Sequence, residues 1–345
     1  MSSLLAEYGL FAAKAFTLLI VIVLLLGALA ATIRAARQPG PGERLEITNL
    51  NARYRRLGDA IKAETSSTAE RKQLRKTRKA EQKKRQKSKP PEVRARIFVL
   101  DFDGDLRASA TEALREEISA IVQVARPGDE VLLRLESAGG LVHAYGLAAA
   151  QLQRLRAREL KLTVAVDRVA ASGGYMMAAV ADHIVAAPFA ILGSIGVVAQ
   201  LPNLHRLLKK HDVDVELHTA GAYKRTLTVF GENTEAGRSK FREELEQTHG
   251  LFKQFISEHR PAVSVEQVAT GEHWYGTQAL TLNLADELLT SDDWLLKWVD
   301  KADLLHLTFR QPQGLAERLS SGLIRMGLGL RQGAEAALRP PASLH

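Results

Sequence analysis

Residues 131–140 read Val-Leu-Leu-Arg-Leu-Glu-Ser-Ala-Gly-Gly, which is an apolar run followed by a pair of glycines. A short apolar run is typical of a buried strand, and glycines allow the backbone to turn sharply where the strand ends. The arrangement recurs where a strand predicted at residues 162–166 is followed by Ala-Ala-Ser-Gly-Gly-Tyr at residues 170–175. Both glycine pairs therefore lie where a strand gives way to a helix, the position at which parallel α/β sheets collect their chemistry.

The chain around these two loops alternates between strand and helix patterns. Further strands are predicted at residues 97–100, 183–187 and 213–217, and helices at about residues 109–122 and 142–156. Residues 109–112, Ser-Ala-Thr-Glu, fit a helix capping box. Such alternation favours crossover connections, so the sequence predicts an α/β domain over residues 94–310 with a mostly parallel sheet and flanking helices.

Composition excludes several classes of protein. The 345 residues are 46% hydrophobic and 25% charged, as in a globular protein, and there is no cysteine. This excludes a disulfide scaffold, a thiolate zinc site, an iron–sulfur cluster and a cysteine nucleophile. Residues 101–105 resemble the start of a calcium loop, but Leu106 stands where such a loop needs glycine, so a strand-to-helix turn is predicted. We expect neither a metal nor a cofactor.

The chain begins with a hydrophobic segment. Residues 15–33 carry no charge and would span roughly 28 Å as a helix, so an N-terminal membrane anchor is predicted over residues 1–38. The alternative is a cleaved signal peptide with its site near Ala-Leu-Ala at residues 28–30. More basic residues follow this segment than precede it, which predicts that the main domain is cytoplasmic. A periplasmic domain remains the alternative, because long domains are translocated whatever their charge.

A charged linker is predicted over residues 39–93. Between Arg71 and Lys89 it carries eleven Lys or Arg and one Glu. This run could contact anionic lipid or act as a plain spacer. Nucleic acid is disfavoured as a partner because no aromatic residue interrupts the run. The C-terminal residues 311–345 form a weakly patterned tail, and its apolar run at residues 323–330 could contact a membrane or another subunit.

The glycine loops suggest a nucleophile. Ser172 stands at a predicted helix start, and the amides of Gly173 and Gly140 could form an oxyanion hole. Ser-Gly-Gly is also a common turn, and no G-x-S-x-G elbow surrounds Ser172. The only candidate base is Lys224, in a small-residue loop after a predicted strand. A lysine acts as a base only when its amine is neutral, and this requires a site that excludes water. The position of Lys224 in the sequence does not indicate such a site, so the spacing alone favours a surface role.

Taken together, these motifs resemble the signal peptide peptidase A and SohB family of membrane-anchored serine peptidases. The matching segments are residues 136–140, 170–175, 193–197, 221–225 and 271–287, and residues 227–234 resemble the SohB branch in particular. The resemblance covers about residues 97–290 and implies a ClpP/crotonase-type fold. It also implies a bacterial inner-membrane protein that assembles into a homo-oligomeric ring.

The resemblance assigns roles to individual residues. It implies that Ser172 is the nucleophile and Lys224 its base, with the oxyanion hole at Gly140 and Gly173. Gly139 and Ser194 are implied to contact the substrate.

The implied reaction is hydrolysis of extended hydrophobic peptides, such as signal peptide remnants or membrane-protein fragments. One departure from the family pattern is Ala138, where the family usually has proline, and a modest effect on rate is expected. Two alternatives remain at this point. One is an inactive membrane scaffold acting through the basic linker, and the other is a crotonase-like acyl-CoA enzyme.

Overall fold

A computed structural model describes residues 44–67 and 94–310, together with residues 14, 16, 70, 76 and 80. Apart from these isolated positions, the predicted anchor, the basic run and the tail lie outside the described residues. Within the described part of the chain, no helix is long and apolar enough to cross a membrane. Leu45–Phe309 form one compact unit. The rest of the chain forms a second unit, of which only Lys14, Phe16, Arg44 and Arg310 are described.

A ten-stranded sheet forms the centre of the compact unit. Its strands are β1 (Arg44–Asn49), β2 (Arg96–Gly104), β3 (Glu130–Ser137), β4 (Lys161–Val166), β5 (Val169–Ala171), β6 (His183–Ala186), β7 (Ile191–Gly193), β8 (His273–Tyr275), β9 (Glu287–Leu288) and β10 (Asp303–Arg310). The main order is β1-β10-β2-β3-β4-β6-β9. A branch leaves β3 through β5 and β7 to β8. The pairings from β10 to β9 and from β3 to β7 are parallel, and β7 pairs antiparallel with β8, which confirms the mostly parallel sheet.

Helices cover both faces of the sheet. They are α1 (Leu50–Thr65), α2 (Thr111–Val124), α3 (Val142–Arg156), α4 (Gly173–Ala179), α5 (His205–Lys210), α6 (Glu235–His259), α7 (Val265–Val268), α8 (Gly276–Thr281) and α9 (Ser291–Trp298). Side chains alternate along β2, so that Phe98 and Leu100 join the larger core with α2, α3 and α4. Ile97 and Val99 join a smaller core with residues of α1 and α9. Both faces of the central strands are therefore buried, as in other parallel sheets.

The linker predicted over residues 39–93 is wrong for residues 44–65, which form β1 and α1. The buried side chain of Asn51 fixes α1 to the domain. Its amide donates to the carbonyl oxygens of Val299 and Ala302 at 2.6 and 2.9 Å, and its carbonyl accepts from the amide of Leu304 at 2.8 Å. The hydrophobic spacing from Leu50 onward therefore belongs to the domain rather than to a spacer.

Two local predictions are also wrong. Residues 213–217 form no strand. Their alternating apolar side chains are exposed, and their backbone pairs with no strand of the described chain. The capping box at residues 109–112 does not form. Ala110 occupies the N-cap position of α2 and makes no side-chain cap. The hydroxyl of Ser109 instead donates to Asp105 at 2.8 Å, which orders the loop between β2 and α2.

Candidate active site

Ser172 lies at the junction of β5 and α4 in a strained backbone conformation. Its φ and ψ are 51° and −121°, a region that side chains other than glycine rarely adopt. Its N–H donates to the carbonyl oxygen of Gly193 at 2.8 Å, and its carbonyl accepts from the amide of Met176 at 3.0 Å. These two main-chain hydrogen bonds hold Ser172 in the strained conformation. Such strain is typical of functional residues, whose side chains must point in one fixed direction.

The second glycine loop lies directly beside Ser172. Gly139 has φ +90°, and a Cβ on it would lie 2.7 Å from Cβ of Ser172 and 2.8 Å from the amide nitrogen of Gly173. A Cβ on Gly140 would collide with the backbone of Leu106. The two loops are brought together because β3 pairs with β5, with Ser137 opposite Ala170. The fold therefore places the loop of Gly139 and Gly140 beside Ser172 and Gly173.

The amides beside Ser172 differ in their availability. The N–H of Gly139 donates to Oγ of Ser137 at 3.0 Å. The N–H of Gly140 donates to no acceptor among the described residues. Gly173 is the first residue of α4, and an N–H at this position has no partner within its helix. The amides of Gly140 and Gly173 are thus the two that could bind a developing negative charge, whereas that of Gly139 is already used.

Ser194 occupies the neighbouring branch of the sheet. It directly follows Gly193, the acceptor of the Ser172 amide, and it also has a positive φ of 51°. Its own N–H donates to the carbonyl oxygen of Glu272 at 2.6 Å. A Cβ on Gly193 would lie 2.6 Å from the indole of Trp274. Ser194 is therefore near the backbone of Ser172, at the edge of the same loop cluster.

Lys224 makes no hydrogen bond with Ser172 in the described part of the chain. It lies exposed in a turn in which its N–H donates to the carbonyl oxygen of Gly221 at 3.2 Å. Its ammonium makes no ion pair or hydrogen bond with any other residue in the described ranges. Nor does the hydroxyl of Ser172 hydrogen-bond to another described residue. Among the described residues of a single chain, the arrangement is a serine beside two amides without an acceptor and without a hydrogen bond to its expected base.

Apolar side chains surround the glycine loops. Leu106 is 67% exposed, and its carbonyl accepts from the N–H of Leu141 at 2.9 Å, so both lie next to Gly140. Val142 follows at the start of α3 and is 44% exposed. Exposed leucine and valine side chains next to such a loop favour contact with apolar groups of a ligand. The sequence analysis missed this surface because nothing in the order of the residues places Leu106 beside Gly140.

Ser137 and Tyr145 are further site residues that the sequence did not single out. Both are fully buried, and Oγ of Ser137 lies 2.6 Å from the phenol oxygen of Tyr145. A Cβ on Gly173 would collide with the ring of Tyr145. Burial raises the pKa of the Tyr145 phenol, which keeps it protonated and able to donate. The sequence feature that could have pointed to Ser137 is its position immediately before the glycine loop.

A separate charged cavity of about 360 Å³ opens on the sheet face that carries the smaller core. It contains none of the residues named above as site residues. Two ion pairs lie in its lining, a 2.6 Å contact between Arg134 and Asp101 and a 2.7 Å contact between Arg168 and Glu136. Across the described ranges, no three carboxylate or imidazole groups are placed to hold a metal ion.

Comparison with known proteins identifies the class of protein that carries this loop cluster. Residues 3–152 match Peptidase family S49 N-terminal, and residues 154–305 match Peptidase family S49. The chain belongs to peptidase family S49.

Two relatives are named "Probable protease SohB". The protein of Haemophilus influenzae is 50% identical over 92% of each chain. That of Buchnera aphidicola subsp. Schlechtendalia chinensis is 48% identical over 84% of this chain and 98% of its own. Among solved structures, a mutant of the 1510-N membrane-bound stomatin-specific protease aligns with a TM-score of 0.40 and 12% identity over 60% of this chain and 85% of that chain. We draw nothing from a structural likeness of that size.

Proposed function

We propose that this chain is a membrane-anchored serine endopeptidase in which Ser172 is the nucleophile and Lys224 the general base. The observation that carries the proposal is the strained backbone of Ser172 beside two amides without an acceptor in the described chain, those of Gly140 and Gly173. Membership of family S49 supports peptide hydrolysis as the reaction. The order of Ser172 and Lys224, each in its expected motif, supports the dyad.

The reaction then follows from the groups present. Neutral Nζ of Lys224 takes the proton of the Ser172 hydroxyl as Oγ attacks the peptide carbonyl carbon. The carbonyl π electrons move to oxygen, and the amides of Gly140 and Gly173 stabilise that charge by a few kcal/mol per donor. Lys224 returns the proton to the leaving amine as the C–N bond breaks. Water then attacks the acyl-enzyme ester with Lys224 again as base, which releases the acid and restores Ser172.

Self-assembly would complete the dyad. The segment that carries Lys224 exposes apolar side chains, among them Val198 at 92% and Phe230 at 50% exposure. Exposed apolar residues in such number favour a protein interface. A second copy of the chain packed on this segment would exclude water from the amine of Lys224, and this desolvation favours the neutral form of the amine. We therefore propose that a homo-oligomer, a ring by resemblance to the family, brings Lys224 to a Ser172.

Exposed apolar side chains support a class of substrate, and the N-terminal sequence supports a cellular location. The apolar surface of Leu106, Leu141 and Val142 beside Gly140 supports extended hydrophobic peptides as substrates, such as signal peptide remnants or membrane-protein fragments. The uncharged residues 15–33 support a single anchor in the bacterial inner membrane, and the basic residues after it support a cytoplasmic domain. The basic run between Arg71 and Lys89 would then lie near anionic lipid.

The test is labelling of the detergent-solubilised full chain with a fluorophosphonate probe. Native protein should be labelled, and both Ser172→Ala and Lys224→Ala should abolish labelling, because the probe reports an activated serine. The matched controls are Ser257→Ala on the exposed face of α6 and Lys210→Ala at the end of α5, and both should be labelled as the native chain is.

Two outcomes would overturn the proposal. Labelling that survives Ser172→Ala would identify another nucleophile. No labelling of the native chain, with oligomer formation confirmed, would favour the inactive scaffold. Deletion of residues 71–89 separates these readings further, because a peptidase should keep its activity in detergent without the basic run.

A further inference from the structure

A chain of buried hydrogen bonds lies directly beneath the loop of Gly139 and Gly140. The N–H of Gly139 lies 3.0 Å from Oγ of Ser137, and that oxygen lies 2.6 Å from the phenol oxygen of Tyr145. The phenol in turn donates to the carbonyl oxygen of Asp105 at 2.8 Å. Ser137 and Tyr145 are 2% and 0% exposed, so water does not compete for these bonds.

The direction of every bond in this chain is fixed. Tyr145 has one hydroxyl proton, and it is donated to the carbonyl of Asp105. Ser137 must therefore donate its own proton to the oxygen of Tyr145, which leaves Oγ of Ser137 to accept the N–H of Gly139. All donors point the same way, from Gly139 to Asp105. Aligned bonds of this kind strengthen one another in a dry interior.

The chain links the glycine loop of the proposed oxyanion hole to the loop of Asp105. It fixes Gly139, whose positive φ presents the next amide, that of Gly140. It also fixes the loop of Asp105, whose neighbour Leu106 packs against the backbone of Gly140 and accepts from Leu141.

The ring of Tyr145 contributes at the other side of the hole. It lies so close to Gly173 that no side chain would fit there, and the ring thereby sets the position of the Gly173 amide. One buried tyrosine thus touches the backbone on both sides of the proposed hole.

We propose that Ser137 and Tyr145 are positioning residues that hold the amides of Gly140 and Gly173 in place for the oxyanion. This inference rests on the proposed serine mechanism and adds to it. It also assigns separate roles to the two glycines, because the amide of Gly139 donates to Ser137, whereas that of Gly140 has no acceptor among the described residues.

The test uses Ser137→Ala, Tyr145→Phe and the double variant in the full chain. Kinetics on a fluorogenic hydrophobic peptide should show kcat lowered by about tenfold or more in each single variant, with KM within about twofold, because the chain acts on transition-state donors. The inhibition constant of a peptide aldehyde, which forms a charged adduct on the serine, should rise by a similar factor. The double variant should be no worse than about the poorer single variant, because both break one chain.

Tyr175→Phe is the matched control. Tyr175 is equally buried and follows the second glycine pair, but its hydroxyl donates to the carbonyl oxygen of Leu284 at 3.2 Å and takes no part in the chain of bonds from Gly139 to Asp105. It should lower the melting temperature about as much as Tyr145→Phe, yet leave kcat and the aldehyde constant within about twofold. Equal kinetic losses in both tyrosine variants would show a general packing effect and overturn the proposal. So would unchanged kcat in Ser137→Ala and Tyr145→Phe.

Hydrogen exchange separates failure of this inference from failure of the serine mechanism. Exchange of the Gly139 amide should quicken in Ser137→Ala and stay slow in Tyr175→Phe. If exchange does not change in Ser137→Ala, the hydrogen-bond chain itself is refuted, whatever the activity. If the native chain shows no Ser172-dependent hydrolysis, the mechanism has failed and the positioning role falls with it, while the exchange result still reports the chain.

Discussion

The N–H of Ser172 donates a 2.8 Å hydrogen bond to the carbonyl oxygen of Gly193. This bond continues the pairing of β5 with β7 by one residue, into the strained turn that carries the proposed nucleophile. Gly193 has φ +96° and Ser172 has φ 51°, so both partners lie in the left-handed region. Glycine adopts such a φ at no steric cost. At Ser172 the conformation costs of order 1–3 kcal/mol and persists only where the surrounding structure imposes it. The short branch of the sheet is what imposes it here.

Gly139→Ala should lower kcat by about 100-fold or more. The new methyl group would lie 2.7 Å from Cβ of Ser172 and 2.8 Å from the carbonyl oxygen of Ala171, at a φ of +90° that alanine rarely adopts. The glycine loop must move, and displaced oxyanion donors cost about two orders of magnitude in rate. Steady-state hydrolysis of a fluorogenic peptide measures the effect.

Gly146→Ala provides the control for this substitution. Gly146 lies within α3, where a Cβ would meet nothing within 4 Å. Alanine there should stabilise the helix by up to about 1 kcal/mol and leave kcat unchanged. Full activity of Gly139→Ala would show that this loop takes no part in the reaction.

Mixed oligomers should reveal whether the dyad forms between chains. Ser172→Ala and Lys224→Ala are each expected to be inactive alone, but co-assembled in equal amounts they should recover about one quarter of native activity if each site takes its serine and its lysine from different copies. The recovery should depend on co-expression or subunit exchange and vanish when the chains are cross-linked before mixing. A mixture without activity, in oligomers shown to contain both variants, would place both residues in one chain.

The free energy of unfolding should decrease as the pH rises from about 4.5 to about 7, because of Glu117. This side chain on α2 is buried, and its Oε1 accepts from the N–H of Phe309 at 2.7 Å. Burial raises the pKa of Glu117 from 4.5 to about 7. The folded chain therefore keeps its proton where the unfolded chain has lost it. The contribution of Glu117 to the free energy of unfolding is full below its ordinary pKa of 4.5. It is lost as the pH rises through its raised pKa of about 7.

Glu117→Gln tests this dependence, because glutamine keeps the acceptor and cannot ionise. Urea unfolding at pH 5 and pH 8 should show a flatter pH dependence in the variant, and at pH 8 the variant should be more stable by on the order of 1–3 kcal/mol. The exposed Glu243→Gln is the control and should follow the native curve. A native-like slope in Glu117→Gln would assign the pH dependence to other groups.

Arg260→Met should destabilise the fold by about 2–4 kcal/mol. The guanidinium, 8% exposed, bonds both oxygens of Asp286 at 2.7 and 2.9 Å. Asp286 also accepts the amide of Ile184 in β6, so its charge would stay in place without its partner. In contrast, Arg242→Met on α6 breaks a pair that is 66% and 77% exposed and should change the unfolding free energy by less than about 1 kcal/mol. Equal effects of the two substitutions in urea unfolding would contradict the role given to burial.

Much of the fold could be predicted because its signals are local. Apolar runs predicted β2, β3, β4 and β6, and helical spacing predicted α3 over the residues that form it. Where a local pattern competes with tertiary context, the prediction failed. Alternation at residues 213–217 predicted a strand, but no neighbouring strand of the described chain accepts it. Asn51 lies in a stretch that reads as linker, and only contacts with residues about 250 positions away make it part of the core.

Short motifs in a fixed order can be recognised without a structure, so the family and the segments that contain Ser172, the glycine pairs and Lys224 follow from the order of the residues. Which of these residues meet depends on the packing of the folded chain. Pairing of β3 with β5 places Gly139 against Ser172, and burial of Tyr145 joins Asp105, Ser137 and Gly139 in one hydrogen-bond chain. Contacts of this kind depend on the packing of strands and helices distant in the sequence, and that is why spacing alone could not supply them.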